Sequence, residues 1–193
     1  MTGEPRIPCA SVASAGLDKQ QLRRELKERR RAINPALKRS WDDRLGARVL
    51  HWWQAHPGTS LGVYWPLAGE PDLRPAYAEL AEAGVRLALP VVVERDAALG
   101  WAAWMPGEPT LVDSMGIAVP ADLRMVARPG ALLVPCLGFN AQGYRLGYGG
   151  GFYDRTLEAE PRPRTVGVAY GCQLVEFDTG GYDIPLDEII TEL

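Results

Sequence analysis

The residues best suited to chemistry lie in one stretch, Leu133–Arg155, which reads Leu-Val-Pro-Cys-Leu-Gly-Phe-Asn-Ala-Gln-Gly-Tyr-Arg-Leu-Gly-Tyr-Gly-Gly-Gly-Phe-Tyr-Asp-Arg. An apolar strand leads through an Arg-bearing turn into a glycine-rich loop that opens a helix. Gly147, Gly149, Gly150 and Gly151 fall within five positions. Such a loop lets the backbone approach a bulky ligand, and unpaired amides at a helix start favour an anion. Arg145 before the loop and Arg155 after it add permanent positive charge suited to phosphate. A glycine run taken alone reads equally well as a surface turn.

Neither common nucleotide signature fits. A P-loop needs Lys then Ser or Thr after its last glycine, whereas Phe152 and Tyr153 follow here. A dinucleotide fingerprint needs a glycine where Phe152 stands.

The elements that must carry this segment are legible from spacing. Asp18 caps a first helix, with Gln21 as its capping-box partner and Leu17 with Leu22 as a hydrophobic staple. Lys19, Arg23, Lys27 and Arg30 share one face of that helix, either a solvated stripe or a basic wall facing a polyanion. Asn34-Pro35 starts a second helix whose Leu37, Trp41, Leu45, Val49 and Trp52 or Trp53 recur at helical spacing. The sequence His56-Pro57-Gly58 ends it, and the tryptophan stripe reads as core. Beyond it strands are expected at Leu61–Trp65, Val85–Leu89, Leu99–Met105, Ala131–Val134 and Thr165–Tyr170, with helices at Leu73–Ala83 and Gly151–Ala159. Gly84 is the helix stop. This alternation predicts an α/β fold, a mostly parallel sheet flanked by helices on both faces. Ligands of such sheets bind beyond the carboxyl ends of strands, where the glycine segment and Glu70 both fall.

Composition narrows the function classes. A chain of 193 residues suits one domain, read here as 17–193 after a disordered lead over 1–16. A formal net charge of −3 gives no global attraction to nucleic acid or an anionic membrane, so an anion site must be built locally. Cys9, Cys136 and Cys172 are widely spaced and form no C-x-x-C pair, which disfavours a disulfide framework or a zinc site. Cys136 and Cys172 read as small structural hydrophobes. His51 and His56 read as helix-end residues. No apolar run is long enough for a membrane span, and the composition points to the reducing cytoplasm.

Together these features resemble one family. The 133–155 stretch is similar to the signature of 5-formyltetrahydrofolate cyclo-ligase, also called methenyltetrahydrofolate synthetase. Lys19-x-x-Leu22-Arg23 with Arg30 and Arg31 resembles the family's opening basic helix. Tyr64-Trp65-Pro66 with Gly69-Glu70-Pro71-Asp72 resembles its strand-then-acid segment. Val166–Tyr170, Gln173–Val175, Tyr182–Leu186 and Ile190-Thr191 resemble its C-terminal segment, so the likeness spans 18–192.

The resemblance implies a NagB/RpiA/CoA transferase-like fold and an ATP- and Mg²⁺-dependent ring closure. 5-Formyltetrahydrofolate, with or without a polyglutamate tail, would become 5,10-methenyltetrahydrofolate through a phosphorylated formyl intermediate, releasing ADP and phosphate. Lys19 and Arg23 would reach the ATP phosphates, and Arg145 with Gly147, Tyr148, Gly149, Gly150, Gly151, Phe152 and Tyr153 would hold them. Arg145 and Tyr153 are the catalytic candidates, and Asp154 and Asp183 the Mg²⁺ candidates, since this ion takes one or two carboxylates plus waters and phosphate oxygens. Glu70, Trp65, Trp104 and Tyr153 would contact folate. No nucleic-acid or membrane partner is expected, and the protein would be a monomer or weak dimer. Asn140 stands where the family usually has Asp, Val119 where many members have an acid, and Gly150 where some carry Lys. The second reading, from a different class, is a non-catalytic folate-binding or regulatory protein. A third is a sugar-phosphate or CoA-handling enzyme on a related fold.

Overall fold

The computed structural model describes residues 18–193. The expected lead over 1–16, with Cys9, and the Leu17 half of the staple lie outside the described residues. Helix α1 (Lys19–Arg31) starts at the predicted capping box, with Asp18 accepting from the Gln21 amide and the Gln21 side chain accepting from the Asp18 amide. Helix α2 (Pro35–Ala55) starts at Asn34, whose side chain accepts from the Ala36 amide, with Pro35 in the first turn where its missing N–H costs nothing. His56 caps its end, whereas His51 lies within the helix.

The chain then runs through β1 (Ser60–Gly62), α3 (Arg74–Glu82), β2 (Arg86–Val91), β3 (Gly100–Ala103), β4 (Thr110–Val112), β5 (Ala118–Pro120), β6 (Met125–Val126) and β7 (Ala131–Pro135). It continues through β8 (Gly138–Phe139), β9 (Arg145–Leu146), α4 (Phe152–Glu158), β10 (Arg164–Val168) and β11 (Glu188–Ile190). The main sheet has the order β11-β10-β7-β1-β2-β3-β6. Its first five strands are mutually parallel, while β3 and β6 pair antiparallel at one edge. The turnover at β3 has a simple cause, because the β2–β3 connection contains no helix and a parallel return needs a long crossover. The β4–β5 and β8–β9 hairpins and β11 were not anticipated from the sequence.

Helices cover both faces. Leu61, Val63, Leu133, Val166 and Val168 pack under α2 and α3 with Trp41, Leu45, Trp52 and Tyr77. The alternate residues Leu132 and Val134 point to the other face, under Leu157 of α4 with Trp101, Cys136 and Ala169. Each fully buried side chain of this kind contributes roughly 1.5–3 kcal/mol through apolar burial. The tryptophan stripe of α2 is core, as its spacing indicated.

Helix α1 stands apart from the sheet. Leu22 and Leu26, one turn apart, seat it on Leu137, Leu146 and Val175 beside the β8–β9 hairpin. A Cβ at Gly138 would lie 2.7 Å from Leu26 Cδ1, so only glycine lets the hairpin come this close. Leu26 is fully buried. Leu26→Ala is expected to lower stability by about 2–5 kcal/mol, read from the urea midpoint, and with it the anchorage of the basic face of α1.

Candidate active site at the sheet switch point

From β1 the chain proceeds to β2 on one side, and from β7 it proceeds to β10 on the other. The crevice between β1 and β7 is therefore the point where strand order reverses, the usual ligand position in an open α/β sheet. A cleft of about 450 Å³ opens there. Tyr64 and Trp65 follow β1, Pro90 and Val92 come from the end of β2, and Pro135 ends β7. Lys19 and Arg23 of α1, Glu70, Asp183 and the whole loop from Arg145 to Asp154 complete the wall.

The structure thus brings together Lys19, Arg23, Trp65, Glu70, Arg145, Gly147–Tyr153, Asp154 and Asp183. It does not bring Trp104. That residue is buried among the α2 and α3 side chains, edge-on to Trp65 at 5.7 Å, and supports the cleft from behind. The physical reason is strand register: Trp104 directly follows β3, an antiparallel strand, so its position does not coincide with a parallel strand's carboxyl end. Asp113, Met115 and Ile117, from the β4–β5 hairpin, were missed by sequence reasoning yet line the cleft. The Asp113-x-x-Gly116 turn was their only signal, with the Asp113 side chain accepting from the Met115 and Ile117 amides.

The glycine loop is held by the protein's own cations. Arg23 Nε donates to the Gly147 carbonyl at 2.9 Å, and its guanidinium lies 3.5 Å from where a Cβ of Gly149 would be. Arg145 Nη1 would sit 2.5 Å from a Cβ at Gly147. Arg155 donates to the carbonyls of Gly150 and Ala97 and lies over the Phe152 ring, so it braces the loop instead of reaching into the cleft. Gly151 caps α4 at φ 65°, a left-handed conformation glycine adopts freely, and leaves the first amides of α4 without a side-chain cap.

Three ion pairs engage the charged groups of the cleft. Arg145, buried, donates to Asp154 Oδ2 at 2.8 Å and lies over the Tyr153 ring at 5.3 Å. Lys19 Nζ meets Asp183 Oδ2 at 2.7 Å. Burial would raise the Asp183 carboxyl, but the Lys19 ammonium and the Gly180 amide outweigh it and hold the group below the ordinary aspartate range. Glu70 is buried at 2% exposure. Its Oε2 accepts from the Leu67 amide at 2.8 Å, and its Oε1 accepts from the Tyr148 hydroxyl. Arg30 Nη2 donates to that hydroxyl at 2.7 Å, and Arg30 Nη1 lies 3.8 Å from Glu70 Oε1. Burial and then the Glu70 charge push the Tyr148 hydroxyl above the usual tyrosine range, so it remains a donor at neutral pH. Of the basic stripe on α1, Lys27 alone stays off the cleft wall and the buried network, lying over the Tyr148 ring at 5.3 Å.

Among the cleft-lining residues Lys19, Arg23 and Arg145 face four carboxylates, Glu70, Asp113, Asp154 and Asp183. The cleft's own charge therefore does not favour a polyphosphate, and a divalent cation carried with the phosphates suits this carboxylate excess. No cluster of three or more metal-ligating side chains exists among the described residues.

The three sequence departures have local explanations. Asn140 is buried, and its Oδ1 accepts from the Gln142 and Tyr144 amides to close the β8–β9 turn, a task that needs an acceptor and no charge. Val119 is buried in β5 and is absent from the cleft wall. The space beyond Gly150 holds the Phe152 ring, 2.8 Å from a notional Cβ.

The chain matches the 5-formyltetrahydrofolate cyclo-ligase family over residues 15–192. The 5-formyltetrahydrofolate cyclo-ligase of Escherichia coli (strain K12) is 32% identical over 174 residues, covering 86% of this chain and 96% of that one. That of Mycolicibacterium smegmatis is 30% identical over 188 residues, covering 90% and 93%. The solved 5,10-methenyltetrahydrofolate synthetase of Mycoplasma pneumoniae superposes with a TM-score of 0.77 at 23% identity, covering 92% of this chain and all of that one, a likeness of fold. The Aquifex aeolicus 5,10-methenyltetrahydrofolate synthetase gives 0.73 at 29% identity over 90% and 89%. Among the described residues no helix is long and apolar enough to cross a membrane.

Cys136 is not a nucleophile in this site. It is buried against Val134, and burial pushes its thiol up to about 12 despite the nearby Arg145. Thiolate is thus scarce in the folded protein and becomes available on unfolding. Mass spectrometry of the Cys136 peptide after iodoacetamide treatment at about pH 8 should show no label in native protein and full label in urea.

Proposed function

The chain belongs to the 5-formyltetrahydrofolate cyclo-ligase family, and from that premise we propose that its switch-point cleft closes the folate ring at the expense of ATP. The observation that carries this reading is the convergence of a cation-braced glycine loop and the buried carboxylate of Glu70 on one cleft. The first suits a polyphosphate and the second the N–H groups of a pterin.

The formyl oxygen of 5-formyltetrahydrofolate attacks the γ-phosphorus of ATP, and the bond to ADP breaks. This leaves N5=CH–O–phosphate, in which the formyl oxygen has become part of a leaving group. N10 adds to the formyl carbon and loses its proton, and phosphate departs to give the 5,10-methenyl bridge. Phosphoryl transfer asks for position and charge stabilisation more than for a protein nucleophile. Arg145, buried beside the loop, stabilises charge building on the transferred group, while Lys19, Arg23 and the amides of Gly147–Tyr153 bind the phosphates. Tyr153 and Trp65 flank the reacting end with apolar ring surface that excludes water. Glu70 orients the pterin. Asp154 and Asp183 would hold Mg²⁺, which supplies charge neutralisation on the phosphate oxygens when bound. Lys19 and Arg145 each exchange a carboxylate partner for phosphate as the nucleotide enters.

We take residues 17–193 as one catalytic domain. The reading also places the protein in the cytoplasm as a monomer or weak dimer, acting on mono- or polyglutamylated folate without a nucleic-acid partner. The test is direct: purified protein, 5-formyltetrahydrofolate, ATP and Mg²⁺ should produce the methenyl absorbance band, and omission of ATP or of the metal should abolish it. No band with the complete mixture would sink the reading. Arg145→Ala is expected to lower kcat by about 10²–10³-fold, the usual effect of removing one electrostatic clamp, with circular dichroism confirming the fold. Wild-type turnover in that variant would remove Arg145 from the mechanism.

A further inference from the structure

The buried triad of Arg30, Glu70 and Tyr148 joins three parts of the chain that are distant in sequence. Arg30 comes from the inner end of α1, Glu70 from the loop after β1, and Tyr148 from the glycine loop. Arg30 is only 5% exposed, and besides the Tyr148 hydroxyl it reaches the Ala68 carbonyl at 3.3 Å. Gly69, at φ 80°, leaves room for the guanidinium, since its missing Cβ would lie 3.4 Å from Arg30 Nε. Arg30 Nη1 is buried with no hydrogen-bond partner of its own.

The polarity of this network is fixed by chemistry. A guanidinium can only donate, so the Tyr148 oxygen accepts from Arg30 and its proton points to Glu70 Oε1. Glu70 spends one acceptor site on Tyr148 and one on the Leu67 amide. A carboxylate offers about four, so it retains acceptor capacity toward the cleft it lines. A donor from the pterin can therefore join Glu70 without expelling Tyr148.

We infer that Arg30 is a positioning residue and that Tyr148 couples the two substrate sites, so that folate on Glu70 tightens nucleotide binding at the glycine loop. Tyr148 lies between Gly147 and Gly149, both packed against the guanidiniums that shape the phosphate cradle. Fixing Glu70 by a pterin fixes the Tyr148 hydroxyl, and with it the loop. The nucleotide then meets a loop whose conformational freedom has already been lost, and binds more tightly for that reason. Linkage makes the effect mutual, so nucleotide tightens folate by the same factor. This inference rests on the folate and ATP assignments above.

The experiment is a pair of calorimetric titrations of a non-hydrolysable ATP analogue with Mg²⁺, in the absence and in the presence of saturating 5-formyltetrahydrofolate. Wild type should show about a five- to twentyfold lower Kd for the analogue when folate is present. Tyr148→Phe keeps the ring and removes the hydroxyl, and should bring that ratio within about twofold of unity while each ligand still binds alone. Arg30→Lys keeps the charge but shortens the side chain and loses the planar guanidinium whose Nη2 bonds both Tyr148 and the Ala68 carbonyl, and should reduce the ratio in the same way. A merely structural role for either residue would weaken both affinities or the melting temperature and leave the ratio intact. A wild-type ratio near one, or a ratio unchanged in Tyr148→Phe, overturns the inference. Should Arg30→Lys not fold, Tyr148→Phe decides alone. A wild-type protein that binds neither ligand would instead defeat the assigned function, an outcome distinct from a missing ratio.

Discussion

A charge withdrawn from water must find an opposite charge or a hydrogen-bonding shell. The cleft is built by satisfying that requirement pair by pair. Arg30 stands by Glu70, Arg145 meets Asp154, and Lys19 meets Asp183. Each pair spans separate elements, so the pairing also sets where α1, the glycine loop and the C-terminal segment lie against the sheet. The hydrophobic contribution comes from Leu22 and Leu26, which hold α1 at a height where its basic face meets the loop. In the fully buried pair, Arg30 with Glu70, removing one partner would leave the other uncompensated.

The same pairing changes what the glycines mean. A glycine-rich loop suggests a backbone stripped of side chains to admit a ligand, and that is how the sequence reads. In the folded chain the spaces beside Gly147, Gly149 and Gly151 are taken by the guanidinium groups of Arg145, Arg23 and Arg155. The glycines admit the protein's own cations first. A phosphate then meets a surface whose positive groups were placed during folding, which is preorganisation in the sense that matters for a charged transition state.

Much of this was legible beforehand, because the signals were local. The Asp18 and Asn34 caps, the helical spacing of the α2 tryptophans and the Gly84 stop each depend on neighbours a few residues away. So does the long motif that runs from β7 into α4. The parts that were not legible depend on long-range pairing. Nothing within residues 99–105 announces an antiparallel partner, and this same edge kept Trp104 in the core. Nothing near Arg30 reveals that it is buried beside Glu70, since a stripe of Lys and Arg on a helix ordinarily faces solvent. The contribution of Asp113, Met115 and Ile117 required the β4–β5 hairpin to fold over the cleft mouth.

The position of Trp65 has an optical consequence. The chain has six tryptophans, and Trp65 is the one that lines the cleft. Its ring lies beneath the Arg74 guanidinium and edge-on to the buried Trp104. The other five indoles sit in the apolar interior, screened from solvent and from anything that enters the site. Emission from this protein thus divides into a constant interior background and one fluorophore at the binding surface. A ligand bound in the cleft would touch that single indole and alter its share of the emission, so the fold carries its own reporter of occupancy without an added label.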